Sequence, residues 1–316
     1  MTEVDTRLNE IFLAHASKRQ AEVQAKNTRF VHYTSAAVAA SIVRNREIWM
    51  RSANTMKDFM EIEHGINCVV KAYKGPTGDS FRNELDRLFP NLRARLEKWF
   101  DGWVSTFKYD TFLTCLSEHR DDEDLLGRLS MWREYGGSTG VALVFRNNVF
   151  LAPSQVLRVY ASPVAYLRPD TFGDEFAAMG QRVRQNAAFL REQGEAVVDA
   201  QVCNMFRFAV VCTKHPGFHE ELEWRVVHSP SYEPSERVIR AVETIQGVPQ
   251  NVIKVPLKNY PEEGFVGAEL PELLERIIIG PTQHPRAIAG AFRDLLSQAK
   301  VAEPEKKIFI SDIPLR

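Results

Sequence analysis

Two kinds of short apolar run alternate irregularly along this chain. One repeats every second residue, as a half-buried strand does, and the other every three to four residues, as an amphipathic helix does. Strand-type runs fall at 30–33, 47–51, 112–117, 140–145, 156–167, 206–213, 221–228, 252–257, 276–280 and 308–311. Helix-type runs fall at 1–28, 36–44, 75–108, 125–135, 170–201 and 285–298. A doubly wound fold needs strands and helices in strict alternation, and this order does not supply it. The pattern predicts an α+β protein with a mixed, mostly antiparallel sheet core and surrounding helices. Residues 1–28, with Leu8, Ile11, Phe12 and His15 at helical spacing, read as an exposed N-terminal amphipathic helix. Residues 29–316 read as a single α+β domain, with a helical insert near 75–108. Residues 54–64 read as polar and irregular, 121–124 as a solvated acidic loop, and Ser35 as the cap of the following helix.

Composition narrows the function classes. Of the 316 residues, 44% are hydrophobic and 26% charged, as in a packed globular protein. The formal net charge of -1 supplies no global field for nucleic acid or an anionic membrane, although a local basic groove stays open. Cys68, Cys115, Cys203 and Cys212 have no metal-ligand spacing and read as reduced core thiols. The longest apolar stretch, 36–43, is too short to span a bilayer, and the acidic start (Glu3, Asp5, Glu10) lacks a signal-type run. A cytoplasmic, soluble protein with no membrane partner is expected.

Three segments carry possible chemistry. In 221–226, strand alternation puts Glu221, Glu223 and Arg225 on one face and Leu222, Trp224 and Val226 on the other. Paired carboxylates beside a guanidinium can divide labour, one stabilising positive charge and the other moving a proton. An ordinary solvent face with a cross-pair to Arg225 fits the same pattern. His32, Tyr33, Thr34 and Ser35 end the first strand, where side-chain donors can meet a ligand; a satisfied histidine and a helix cap explain them equally. Trp132 and Tyr135, three apart on one helix face, suit stacking on a flat ring or packing in a core. Arg51 and Lys214 are candidates for holding phosphate, and Gly280-Pro281-Thr282 for an anion seat before a helix. A further possibility is a metal-assisted hydrolase that uses the carboxylates around Asp58, Glu61 and His64, although their spacing is loose. Walker A, GxGxxG, GxSxG and HExxH motifs do not occur.

Taken in order, these segments resemble a bacterial family of unknown function. The resemblance rests on His32-Tyr33-Thr34-Ser35, then Asn54, Asp58 and Glu61, then Met131-Trp132 with Tyr135-Gly136, then Lys214 and Glu221 to Arg225, then Ile278-Ile279-Gly280-Pro281. It covers roughly 29–285 and departs from the pattern at 57–60, where Asn-Asp-Pro-Phe is typical. More distantly, the chain resembles the ADP-ribosyltransferase superfamily. That resemblance implies split sheets and NAD, as substrate rather than bound cofactor. It implies contact of His32 with the ribose near the nicotinamide, support from Thr34 or Ser35, and stacking by Tyr135. Glu223 takes the catalytic role with Glu221 beside it, and either glutamate fits. Arg51 is the candidate for the pyrophosphate. The implied activity is an ADP-ribosyltransferase or NAD glycohydrolase, a toxin or antiphage effector acting on nucleic acid or protein. The competing expectation is a non-enzymatic module that binds nucleotide or nucleic acid.

Overall fold

The computed structural model describes residues 2–55, 59–151 and 155–314 and has the α+β architecture that the run pattern predicts. In chain order the elements are α1 (Glu3–Phe12), α2 (Ala14–Ala25), β1 (Arg29–Ser35), α3 (Ala36–Asn45), β2 (Glu47–Ser52), α4 (Phe59–Lys74), α5 (Pro76–Leu88), α6 (Leu92–Asp110), β3 (Phe112–His119), α7 (Leu129–Met131), β4 (Thr139–Phe145), α8 (Asn148–Leu151), β5 (Tyr160–Pro163), β6 (Ala165–Tyr166), α9 (Phe172–Gln185), α10 (Ala187–Gln193), α11 (Glu195–Val211), β7 (Thr213–Lys214), β8 (Glu223–His228), β9 (Ile239–Ile245), β10 (Val248–Pro256), α12 (Leu270–Leu273), β11 (Leu274–Thr282), α13 (Pro285–Gln298) and β12 (Ile308–Ile310).

The chain divides into two compact units. One takes Met1–Ala21, Ser52–Thr111 and Ser162–Glu220, and the other Glu22–Arg51, Phe112–Ala161 and Glu221–Arg316. The sequence reading sets one helix apart at 1–28 and one insert at 75–108. The helical unit instead draws on three separate stretches of chain.

In the helical unit, Thr2 and Asp5 form a reciprocal capping box that starts α1, and the chain breaks at Leu13. The stripe Leu8, Ile11 and Phe12 is buried, and α1 lies against α9 and α11, so the exposed helix expected over 1–28 is two helices, the first packed into a core. Within 54–64, where polar, irregular chain is expected, residues 59–64 instead open a regular helix that runs on to Lys74. Residues 206–211 are the last turns of α11, not a strand. That run, Phe206 to Val211, is apolar almost throughout, and periodicity cannot separate a buried helix from a buried strand in so short a stretch.

In the other unit, β1 runs antiparallel to β4, β4 to β11, and β11 parallel to β12. On the far side β2 pairs with β10 and β10 with β9, both antiparallel. Gln246 and Gly247, both with positive φ, make the two-residue turn between β9 and β10. Among the described residues the network holds ten strands.

Its central strand has three partners. Ser117 of β3 faces both Val31 of β1 and Glu223 of β8, so β1 and β8 lie on opposite edges of β3. Strand β8 occupies its edge from Phe112 to Ser117, so β2 must share the edge with β1. Two strands on one edge make the sheet fork. The fork lies inside one hydrogen-bonded network of ten strands among the described residues, not between two separate sheets.

Register also assigns the two faces, because paired residues project the same way. Phe30, Phe112, Leu116, Leu143, Phe145 and Trp224 build the larger core. Val31, Tyr33, Met131, Trp132, Ala142 and Ile278 build the smaller one on the opposite face.

Candidate functional site

Strand β8 is shorter than its sequence suggests. It begins at Glu223, because Leu222 takes a left-handed conformation (φ 47°) and Glu221 ends a preceding 3-10 turn. Leu222 still accepts from the Glu118 N–H at 3.0 Å, so the chain stays tied to β3 while its direction changes. The regular alternation expected over 221–226 therefore holds only from Glu223 onward, and Glu221 is not a strand neighbour of Glu223. A leucine at positive φ is unusual and strained, since its Cβ crowds the backbone there.

The two glutamates meet different surroundings. Glu223 is 5% exposed, and its Oε1 takes the Arg225 Nε at 2.8 Å, with Arg225 itself 2% exposed. The expected solvent face is thus a buried ion pair, and every residue of β8 is buried. Trp224 and Val226 fill the larger core as expected, and the Trp224 indole donates to Glu118 Oε1 at 2.9 Å. Glu221 is half-buried, and the Tyr135 hydroxyl donates to its Oε2 at 3.4 Å.

Arg128, which no sequence motif marks, organises this corner. Its guanidinium forks onto Glu123, Nε to Oε1 at 2.8 Å and Nη2 to Oε2 at 3.0 Å. Nη1 holds the Glu221 carbonyl and Nη2 the Glu118 carbonyl, both at 2.9 Å. Its own backbone N–H donates to the Tyr33 hydroxyl at 2.8 Å. Burial works to raise the Glu123 carboxyl pKa, but Arg128 outweighs it and holds the group below the usual carboxylate range. The segment 121–124, expected to be solvated, is thus a binding partner. Glu123 is buried, and Asp124 takes Arg29 at 2.8 Å and His119 Nε2 at 2.9 Å.

His32 stands at the fork. Beyond Val31 the pairing of β1 with β3 stops, and the imidazole bridges the gap, Nδ1 lying 2.9 Å from the Cys115 carbonyl. A carbonyl only accepts, so Nδ1 carries the proton and Nε2 the lone pair. Burial pushes the His32 pKa down, against a smaller upward pull from that carbonyl. His32 shares the Phe30 face of β1, whereas Glu223 pairs with Ser117 on the Val31 face. The register therefore puts His32 and Glu223 on opposite faces.

Several expected ligand contacts have structural work instead. Tyr33 is buried edge-on to Trp132 with centroids 4.8 Å apart, and burial pushes its hydroxyl up to about 12. Ser35 caps α3, its hydroxyl accepting from the Val38 N–H at 3.3 Å. Thr34 sits opposite Val141 in the β1–β4 ladder. Arg51 on β2 donates from Nε to Gln250 at 3.0 Å.

Trp132 is 5% exposed and donates its indole N–H to the Leu126 carbonyl at 2.9 Å, which removes it as a stacking platform. It begins a π-helical turn, Trp132–Gly136, after a short α7, so the helix expected over 125–135 is later and shorter. Three glycines cradle its ring. A Cβ on Gly127, Gly140 or Gly280 would lie 2.5, 3.0 or 2.7 Å from an indole carbon. The Gly-Val strand and the Ile-Ile-Gly-Pro segment thus serve one packed side chain, and Gly280 makes room for an indole rather than an anion.

In the helical unit, Lys214 pairs with Glu61 at 2.6 Å, and His64 Nε2 lies 2.8 Å from the Leu167 carbonyl. Asp58 lies outside the described residues. Among the described residues no group of three or more His, Cys, Asp or Glu is placed to hold a metal ion, and no helix is long and apolar enough to cross a membrane.

Fold and corner together describe an α+β protein with a forked sheet and a carboxylate–phenol pair at the start of β8. Residues 131–226 match the family described as "Protein of unknown function (DUF2971)", so this stretch is similar to a family of unknown function. The match runs from Met131 to Val226 and so includes Trp132, Tyr135, Glu221, Glu223 and Arg225. No curated protein and no solved structure matches the chain.

Proposed function

We propose that the corner around Glu221 and Tyr135 cleaves the nicotinamide–ribose bond of NAD, in the manner of an ADP-ribosyltransferase or NAD glycohydrolase. The observation that carries this reading is the placement of Glu221. The turn at Leu222 takes it out of β8, Arg128 grips its backbone carbonyl at 2.9 Å, and the Tyr135 hydroxyl reaches its carboxylate at 3.4 Å. Strained backbone held by surrounding structure is a feature of functional sites. Glu223, spent on Arg225, supports the corner, so the catalytic role passes to Glu221.

The chemistry suits such a carboxylate. As the C1′–N bond breaks, its electron pair goes to the nicotinamide nitrogen, the pyridinium becomes neutral nicotinamide, and positive charge develops on the ribose. An ionised carboxylate held beside that oxocarbenium centre stabilises it. Water or an acceptor hydroxyl then bonds to C1′, and its proton passes to a carboxylate. The Tyr135 ring, half-exposed at the edge of the smaller core, is the group available to lie against the nicotinamide.

The purified protein is incubated with NAD, and released nicotinamide is measured by chromatography, alongside melting with and without NAD. Release that is lost in Glu221→Gln at unchanged melting supports the reading. NAD-dependent stabilisation without any release supports the binding-module alternative and overturns the enzyme. Neither stabilisation nor release overturns both.

A further inference from the structure

We propose that a cleft among α4, α5, α6 and α11 of the helical unit binds a small organic anion that carries an aromatic ring. The cleft measures about 400 Å³ and is distinct from the Glu221 corner in residues and in unit. Its central feature is Arg82 on α5, only 8% exposed. One guanidinium nitrogen, Nη2, engages Asp79 one turn away. Nε and Nη1 are buried and have no hydrogen-bond partner among the described residues. A guanidinium in so dry a setting is expected to have acceptors for its N–H groups; both nitrogens are closed to water, so an anion in the cleft supplies those acceptors as the guanidinium turns toward it.

The surroundings define the anion further. Lys74 and Arg93 add two cations to the lining. Of the two lining carboxylates, Glu97 is already engaged, by Tyr73 Oη at 3.1 Å and Arg93 Nε at 2.8 Å. Asp101 is exposed. The remaining wall is aromatic. The Arg82 guanidinium lies 5.4 Å from the Tyr73 ring centroid, and Phe206 lies 5.6 Å from Tyr73 and 5.3 Å from Phe100. Cations and aromatic rings lining one cleft match a carboxylate or phosphate joined to an aromatic ring. Small-molecule pockets run from about 300 to 1,000 Å³, so this one suits a ligand no larger than a mononucleotide.

Phenyl phosphate is the probe, titrated into the full chain by calorimetry, with inorganic phosphate as the comparison. Phenyl phosphate is expected to bind saturably, and at least ~10-fold more tightly than inorganic phosphate, because the ring is seated as well. Arg82→Met keeps the apolar stem and removes the donors, and should weaken binding at least ~10-fold. Should Arg82→Met fail to fold, Arg93→Gln, at a half-exposed position, should weaken phenyl phosphate binding with melting unchanged. Glu221→Gln should leave the titration as in the wild type. The proposal is overturned by absent binding, by equal affinity for phenyl and inorganic phosphate, or by unchanged affinity in the Arg82 variant, or in the Arg93 variant where the Arg82 variant does not fold.

Discussion

Gly280→Ala tests the claim that three glycines exist to admit the Trp132 indole. A methyl at position 280 would sit 2.7 Å from Trp132 Cε3 and 2.9 Å from Cδ2. Favourable carbon–carbon contacts lie near 3.5–4.0 Å, so the ring must retreat by roughly 0.8 Å or more. Its retreat is limited, because on the other sides the ring lies so near the Gly127 and Gly140 backbones that a Cβ there would come within 2.5 and 3.0 Å of it. Overpacking of this kind costs about 1–3 kcal/mol, and a site closed on several sides belongs in the upper half of that range. Gly280 has no positive φ, so alanine can adopt its backbone and gains roughly 0.4–1 kcal/mol through the unfolded chain. The net cost should be about 1.5–2 kcal/mol. In a Trp132→Leu background the clash is gone, and the same substitution should be neutral or mildly stabilising. The coupling across the cycle is then about 2 kcal/mol, read from urea unfolding followed by circular dichroism. Gly102, where an added methyl would meet no heavy atom within 4 Å, is the control, and its alanine variant should be at least as stable as the wild type. Equal costs for Gly280→Ala in both backgrounds would refute the cradle.

Further outcomes follow from the corner and the core. Arg128→Met takes from buried Glu123 its bidentate partner, leaving only the contacts to the exposed Arg120, and should cost about 3 kcal/mol in urea unfolding, with loss of nicotinamide release. His32 and His119 are both held below the ordinary histidine value by burial, so on acidification the unfolded chain binds their protons first. Stability is therefore complete above about pH 6.5 and falls as the pH drops below it, and His32→Gln should flatten that slope in a melting series. Burial pushes the Cys68 thiol up to about 11 and the Cys203 thiol up to about 12. Neither should be alkylated by iodoacetamide in the folded protein at neutral pH, as mass mapping would show, whereas both should react in denaturant.

Elements with a strong period or a cap are legible in the amino-acid sequence. Strand β1 with its Ser35 cap, strands β3 and β4, and helix α13 lie within a few residues of their expected positions. Strand β9 goes unread because its residues are mostly exposed and supply no apolar alternation. Helix α11 reads as a strand over its last turns because Phe206 to Val211 is apolar almost all round. The corner is harder to read. Glu221 and Glu223 stand out as a pair, yet leucine at positive φ is so disfavoured that nothing at Leu222 announces the turn that separates them. Arg128 gathers its partners from β3, from 121–124 and from Glu221, and such long-range convergence leaves no local spacing. The motif glycines are visible as motifs, but their shared purpose appears only when Trp132 is seen between them.

Nicotinamide release from NAD, compared between the wild type and Glu221→Gln, decides whether Glu221 carries the reaction. Measurable release by the wild type is expected, with a fall of at least ~100-fold in the variant, an unchanged melting temperature and Glu223 still paired to Arg225. Release that survives intact in Glu221→Gln, or a wild type that neither releases nicotinamide nor is stabilised by NAD, would contradict that role for Glu221.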